Sequence, residues 1–219
     1  MTTDRQQTAH PKCALFDFDG VVADTEPIYD QYWSDAARRY GLRVENFTKL
    51  IKGTTLPLIF ERFFADRTED FHRQVKEELD RFEETMPFPP MPGSVEFIRM
   101  LKERGVRTGL VTSSGREKMR RALSQLELEN TFDTIVTFER VTQGKPNPEC
   151  YLLGASDLGV SPEDCVVFED SLNGIAAGNA AGMRVIGLST TNPAELLQDK
   201  VYKILPDLRG VTFEEYKTW

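Results

Sequence analysis

Cysteine, positive charge and long hydrophobic runs are all scarce in this chain, and each shortage narrows what it can do. Only three cysteines occur in 219 residues. Cys13, Cys150 and Cys165 have no metal-ligand spacing and two of them sit within apolar runs, so buried free thiols in a reducing cytoplasm are expected. Residues 1–11 are polar and lack the apolar core of a signal peptide, and no later run is long enough to span a bilayer. No membrane association is therefore expected. Lys and Arg number 27 against 35 Asp and Glu, a formal net charge of −8 that argues against general binding to nucleic acid or to an anionic membrane. A small anionic substrate stays open, because a metal ion and a few local cations can reverse the field inside a cleft. Internal repeats and low-complexity tracts are absent. At this length one main domain with an insertion is the natural expectation.

What the chain does have is Ala-Leu-Phe-Asp-Phe-Asp-Gly-Val at 14–21. Cys13 to Phe16 is a continuous apolar run without helical spacing, which suits a strand buried on both faces of a parallel sheet. Gly20 breaks the strand, so Asp17 and Asp19 fall at its carboxyl end, where open α/β sheets place their ligands. Residues two apart on a strand point the same way. Two carboxylates on one side repel unless a cation or proton lies between them, and a hard ion such as Mg²⁺ favours oxygen ligands. Two solvated aspartates in a turn would look the same at this point.

Beyond these residues the periodicity becomes helical. Thr25 or Asp24 can cap a helix with Pro27 in its first turn, closed by Gly41. Further helical patterns cover 56–65 and 68–85, and the proline-dense stretch 86–93 can only be a connector. Nothing between 25 and 86 reads as a buried strand, so the segment is an all-helical insertion. From residue 94 strands and helices alternate, with strands expected at 106–111, 134–137, 165–168, 184–188 and 201–205. That alternation predicts an α/β fold with a doubly wound, mostly parallel sheet.

Three more of these strands end in chemistry. The strand ending at Val111 runs into Thr112-Ser113-Ser114-Gly115 and a helix, a hydroxyl followed by free backbone N–H groups that suit an anion. Gly144-Lys145-Pro146-Asn147-Pro148 stiffens the backbone on either side of a lysine, which suits a phosphoryl oxygen. The strand 165–168 ends in Glu169-Asp170, followed by Ser171-Leu172-Asn173-Gly174. The Thr112 strand end alone reads more readily as a helix cap and Lys145 alone as a surface charge, while Glu169 or Asp170 alone could be a helix cap. Four strands that all deliver such groups at their carboxyl ends make a specific constellation.

In this order the motifs resemble those of the haloacid dehalogenase (HAD) superfamily of phosphotransferases, from residue 12 onward. Gly144-Lys-Pro-Asn-Pro-Glu149 and Phe168-Glu-Asp-Ser-Leu-Asn-Gly-Ile175 carry the resemblance most specifically, and the branch it suggests is that of β-phosphoglucomutase and sugar-phosphate phosphatases. The resemblance implies a Rossmann-like core over 12–23 and 92–219, a small helical cap over 24–91 and a polar tail over 1–11. It implies Asp17 as nucleophile, Asp19 as acid and then base, and Thr112 and Lys145 as holders of the phosphoryl oxygens. It implies Mg²⁺ held by Asp17, the Asp19 carbonyl and Asp170, with Glu169 beside the ion or its waters. Lys52, Gly53, Ser113, Arg116 and Asn173 are the candidate substrate and cap contacts. The expected partner is a small phosphorylated metabolite, and a monomer is the simplest assembly for a cap that must move.

Hydrolysis and mutase chemistry share this nucleophile. The mutase branch usually places a histidine four residues after the threonine that opens the cap, and an arginine just downstream of the Lys52-Gly53 loop. Here those positions are Tyr29 and Leu56, while His10 and His72 lie in the tail and a cap helix. A tyrosine does not titrate near neutral pH. Both departures favour a phosphatase, with a phosphohexomutase as the alternative and a non-catalytic phosphometabolite-binding module behind it.

Overall fold

The computed structural model describes residues 11–52 and 54–219; the candidate Gly53, His10 and all but the last residue of the polar tail lie outside the described residues. Four helices follow the first strand: α1 (Glu26–Arg39), α2 (Phe47–Ile51), α3 (Leu56–Phe63) and α4 (Glu69–Glu83). They build the insertion. Six strands form the sheet: β1 (Cys13–Phe16), β2 (Arg107–Val111), β3 (Thr134–Val136), β4 (Cys165–Glu169), β5 (Arg184–Leu188) and β6 (Lys203–Leu205). Between and after them run α5 (Ser94–Glu103), α6 (Arg116–Gln125), α7 (Glu149–Leu158), α8 (Leu172–Ala180), α9 (Ala194–Leu197) and α10 (Phe213–Tyr216).

Every strand pair is parallel, in the order β3-β2-β1-β4-β5-β6. The chain winds outward from β1 in one direction, then returns to β4 on its other side and winds the opposite way. Such a reversal opens a crevice at the carboxyl ends of the two central strands. All four residues of β1 are buried, as its unbroken apolar run requires. Alternation then sorts them. Ala14 and Phe16 join Leu110, Val166 and Phe168 on one face under α5, α6 and α10, while Cys13 and Leu15 join Val111, Val167 and Val185 on the other under α7 and α8. Phe16 and Phe168, partners in register, stack with centroids 4.6 Å apart. All three cysteines are buried and free. Among the described residues no helix is long and apolar enough to cross a membrane.

The insertion has a core of its own, built from Trp33, Ala36, Phe47, Ile51, Ile59, Phe64 and Val75. Two crossings join it to the sheet domain and they are tied to each other. Asp24 donates its N–H to Pro89, Met91 donates to Val22 at 2.9 Å, and the Ser94 hydroxyl donates to the same Val22 carbonyl at 2.8 Å. Met86 and Phe88 already pack in the sheet-side core, so the return crossing belongs to that core by packing.

Two expectations change in detail. Thr25 stands at the N-cap of α1 but makes no capping hydrogen bond, because its hydroxyl is drawn to Asp19 instead. The last strand starts at Lys203 and not at 201, since only its final three residues lie opposite Ile186–Leu188 of β5.

Candidate active site

Parallel pairing carries one residue past β1: the Asp17 N–H donates to the Phe168 carbonyl at 3.0 Å, fixing this residue against β4. Its carboxylate is buried, and Lys145 reaches it at 2.8 Å from the loop before α7. Lys145 also donates to Glu169 at 2.7 Å and to the Val111 carbonyl at 3.3 Å, so one ammonium ties the ends of β1, β2 and β4 together. Burial pushes the Asp17 carboxyl up to about 7 against the pull of Lys145, with Glu169 adding to the rise. Burial disfavours the Lys145 charge, but Asp17 and Glu169 outweigh it and hold the ammonium above the ordinary lysine range.

Glu169 and Asp170 are neighbours with opposite surroundings. Glu169 accepts from Lys145 and the Tyr151 hydroxyl on Oε1, and from the Asp170 and Ser171 N–H groups and the Ser171 hydroxyl on Oε2. Gly174 lets helix α8 start this close to it: a Cβ there would come within 1.6 Å of Glu169 Oε1. Asp170 is equally buried, yet neither of its carboxylate oxygens has a hydrogen-bond partner. The Thr191 hydroxyl beside it eases its charge without meeting hydrogen-bond geometry. Burial, then Glu169 and Asp17, push the Asp170 carboxyl well above the usual range. Gly20 turns at φ +81° beneath it, where a Cβ would lie 2.0 Å from Asp170 Oδ2. Carboxylate oxygens of Asp17, Glu169 and Asp170 lie within 4.8 Å of one another.

Asp19 is held differently, by hydroxyls and a second lysine. Thr25 donates to Oδ1 at 2.5 Å and Ser114 to Oδ2 at 3.1 Å. Lys118 Nζ lies 2.8 Å from both oxygens and 2.8 Å from the Ser114 hydroxyl. Thr112 is buried beside them and accepts the Ser114 N–H at 3.0 Å. Asp17, Asp19, Ser113, Ser114, Lys118 and Asp170 form the floor of a cleft of about 600 Å³. Glu26, Tyr29, Asp30, Trp33, Lys52, Leu79 and Glu83 form its roof from the insertion.

The candidates from sequence thus divide. Asp17, Asp19, Thr112, Lys145, Glu169 and Asp170 converge; Asp17, Asp19, Asp170 and Ser113 line the cleft, and Thr112, Lys145 and Glu169 are buried behind it. Lys52 reaches the cleft but is engaged by Glu26 at 2.6 Å and Asp30 at 3.3 Å. Arg116 is exposed and off the cleft wall, because the inward side of α6 is made by Lys118, Met119, Ala122 and Leu123; its N–H is taken by Glu139. Asn173 lies in the first turn of α8, half-buried and also off the cleft wall. Lys118 was not among the candidates. Its signal was its place on the stripe Lys118-Ala122-Leu126, one residue per turn along the buried side of α6. Tyr29, in place of the histidine, donates its hydroxyl to Glu83 at 2.6 Å.

An all-parallel sheet with buried acids and a lysine at its switch point is the architecture of an α/β enzyme whose ligand crevice lies at the strand ends. The haloacid dehalogenase-like hydrolase family matches residues 11–182, and the chain belongs to that family. It is 34% identical to hexitol phosphatase A of Escherichia coli K12 over 90% of its own length and 92% of that protein's. It is 36% identical to a phosphorylated carbohydrates phosphatase of Thermotoga maritima, over 81% and 85% of the two chains. A HAD hydrolase of family IA, variant 3, from Entamoeba histolytica superposes with a TM-score of 0.81 at 25% identity, covering 94% and 98%. The chain is a phosphohydrolase of the HAD type.

Proposed function

We propose that this protein is a Mg²⁺-dependent phosphatase that hydrolyses a small sugar or polyol monophosphate through an aspartyl phosphate on Asp17. The observation that carries the reading is the buried Asp17, pinned by Lys145 and open to a roofed cleft, beside an Asp170 whose oxygens have no protein partner. Relatives named for hexitol and carbohydrate phosphates support the substrate class.

The residues present fit a divalent cation. A buried carboxylate without donors is costly, and the site's three carboxylates repel one another. Asp17 and Asp170 would hold Mg²⁺ with the Asp19 carbonyl, whereas Glu169, with donors on both oxygens, holds Lys145 and the start of α8 in place. When bound, the ion offsets the repulsion between the carboxylate nucleophile and the phosphate dianion.

Asp17 then attacks phosphorus, and Asp19 gives its proton to the departing alcohol. Asp19, now a carboxylate, takes a proton from the water that hydrolyses the aspartyl phosphate. Lys145, Thr112 and Ser113 supply donors to the phosphoryl oxygens. The roof excludes bulk water while the alcohol is held. A mutase would need a grip on a second phosphate. Lys52 is already neutralised by Glu26 and Asp30, and Leu56 stands where an arginine would be needed. A reducing cytoplasm suits the three free thiols.

The test is phosphate release from a panel of sugar and polyol phosphates, with Mg²⁺ and with chelator, beside β-glucose 1-phosphate plus catalytic glucose 1,6-bisphosphate. The expected result is Mg²⁺-dependent phosphate from one or a few members of the panel. Glucose 6-phosphate formed without free phosphate would overturn the reading in favour of a mutase.

A further inference from the structure

A lysine with its side chain 3% exposed is unusual, and Lys118 is one. It lies on the first turns of α6, four residues after Ser114, outside all four motifs that identify the family. Its ammonium has three N–H donors, and the structure gives each an acceptor: Asp19 Oδ1, Asp19 Oδ2 and the Ser114 hydroxyl, all at 2.8 Å. Two rings flank it, Tyr29 of the insertion at 4.6 Å from the ring centroid and Phe18 of the β1 loop at 5.5 Å. Ring faces attract a cation and keep water from it. The charge is therefore fixed in place from both lobes of the protein.

We propose that Lys118 is the positioning residue of Asp19. Its contact with both oxygens sets the direction in which Asp19 delivers a proton to the departing alcohol and later receives one from water. Thr25 holds Oδ1 and Ser114 holds Oδ2, one hydroxyl each; the ammonium alone spans both oxygens and also grips the Ser114 hydroxyl that holds one of them. Because Tyr29 belongs to the roof, the grip is complete only when the insertion sits over the cleft. Proton delivery is thereby coupled to enclosure of the substrate. This inference rests on the proposed phosphatase reaction.

A departing group that needs no proton does not need Asp19 in its first step, and that separates positioning from general support of the fold. The experiment compares single-turnover release of the alcohol from the best sugar phosphate of the panel with release of nitrophenolate from para-nitrophenyl phosphate. Wild type, Lys118→Met and Asp17→Asn are measured, with folding followed by near-ultraviolet circular dichroism. Lys118→Met is expected to lose about 30-fold or more on the sugar phosphate, within the range general acid catalysis supplies, and to stay within about 3-fold of wild type on the aryl ester. Should Lys118→Met fail to fold, Ser114→Ala carries the same comparison, with the same selective loss expected at about 3- to 10-fold, since it removes one of the donors to Asp19. Equal losses on both substrates in a folded variant, or no loss on either, would overturn the inference. If wild type releases neither alcohol, or Asp17→Asn releases both, the phosphatase reading itself fails and takes this inference with it.

Discussion

Glu169 and Asp170 adjoin in the chain and are both buried, yet one carboxylate has five protein donors and the other has none. That contrast distinguishes a group that builds the site from the one that would take the proposed cation. Asp170→Ala should therefore raise the Mg²⁺ needed for half-maximal activity by about tenfold or more. It should also abolish most of the rise in melting temperature that Mg²⁺ gives the parent. Without Mg²⁺ the variant should melt no lower than the parent, because the lost group is a buried carboxyl with no hydrogen-bond partner beside two other acids. An unchanged Mg²⁺ requirement would contradict this assignment. Asp17 and Asp19 were legible in the sequence because they follow a buried apolar strand that Gly20 ends, and Lys145 because Gly144 and Pro146 flank it. Lys118 was not, since a single lysine on a helix ordinarily faces solvent, and only its place on the buried stripe sets it apart. Arg116 and Asn173 lie off the cleft wall for the converse reason: closeness in sequence to a motif does not decide which side of a helix a residue occupies.

At the level of elements, the site depends on how closely α8 begins beside the end of β4. Ser171 caps the helix by accepting the Gly174 N–H at 3.0 Å, and its hydroxyl donates to Glu169, so the cap and the carboxylate share one residue. Gly174→Ala places a methyl group where Glu169 now lies. The expected cost is about 1–3 kcal/mol of stability, read as a lower melting temperature, together with reduced activity as Glu169 and Lys145 shift. A variant as stable and active as wild type would show that Glu169 is free to move. The strands and long helices of the core were readable because apolar runs of four or five residues alternate with helical periodicity. The short elements were not. The helices α2, α9 and α10 span five, four and four residues, too few for a period to emerge. Thr25 was readable as a capping residue, but the half-buried Asp19 carboxylate nearby competes for its hydroxyl and wins.

For the molecule as a whole, function follows from the point where strand order reverses. The crevice between β1 and β4 brings together groups far apart in sequence, with Lys145 bonded to a residue 128 positions away and Lys118 to one 99 positions away. The insertion leaves and re-enters at the same edge, so it roofs the crevice that the reversal opens. Its outline was legible from the absence of strands between 25 and 86. Its roof chemistry was not, because the pairing of Lys52 with Glu26 and Asp30 depends on how α1 lies beside the loop after α2. On the proposed route, phosphate passes through Asp17. The most direct measurement is acid quench during turnover with the best sugar phosphate, borohydride reduction and peptide mass mapping. Substrate-dependent conversion of Asp17 to homoserine, absent in Asp17→Asn, is the predicted result. Phosphate release with no mark on Asp17, or with the mark on another carboxylate, would contradict the account.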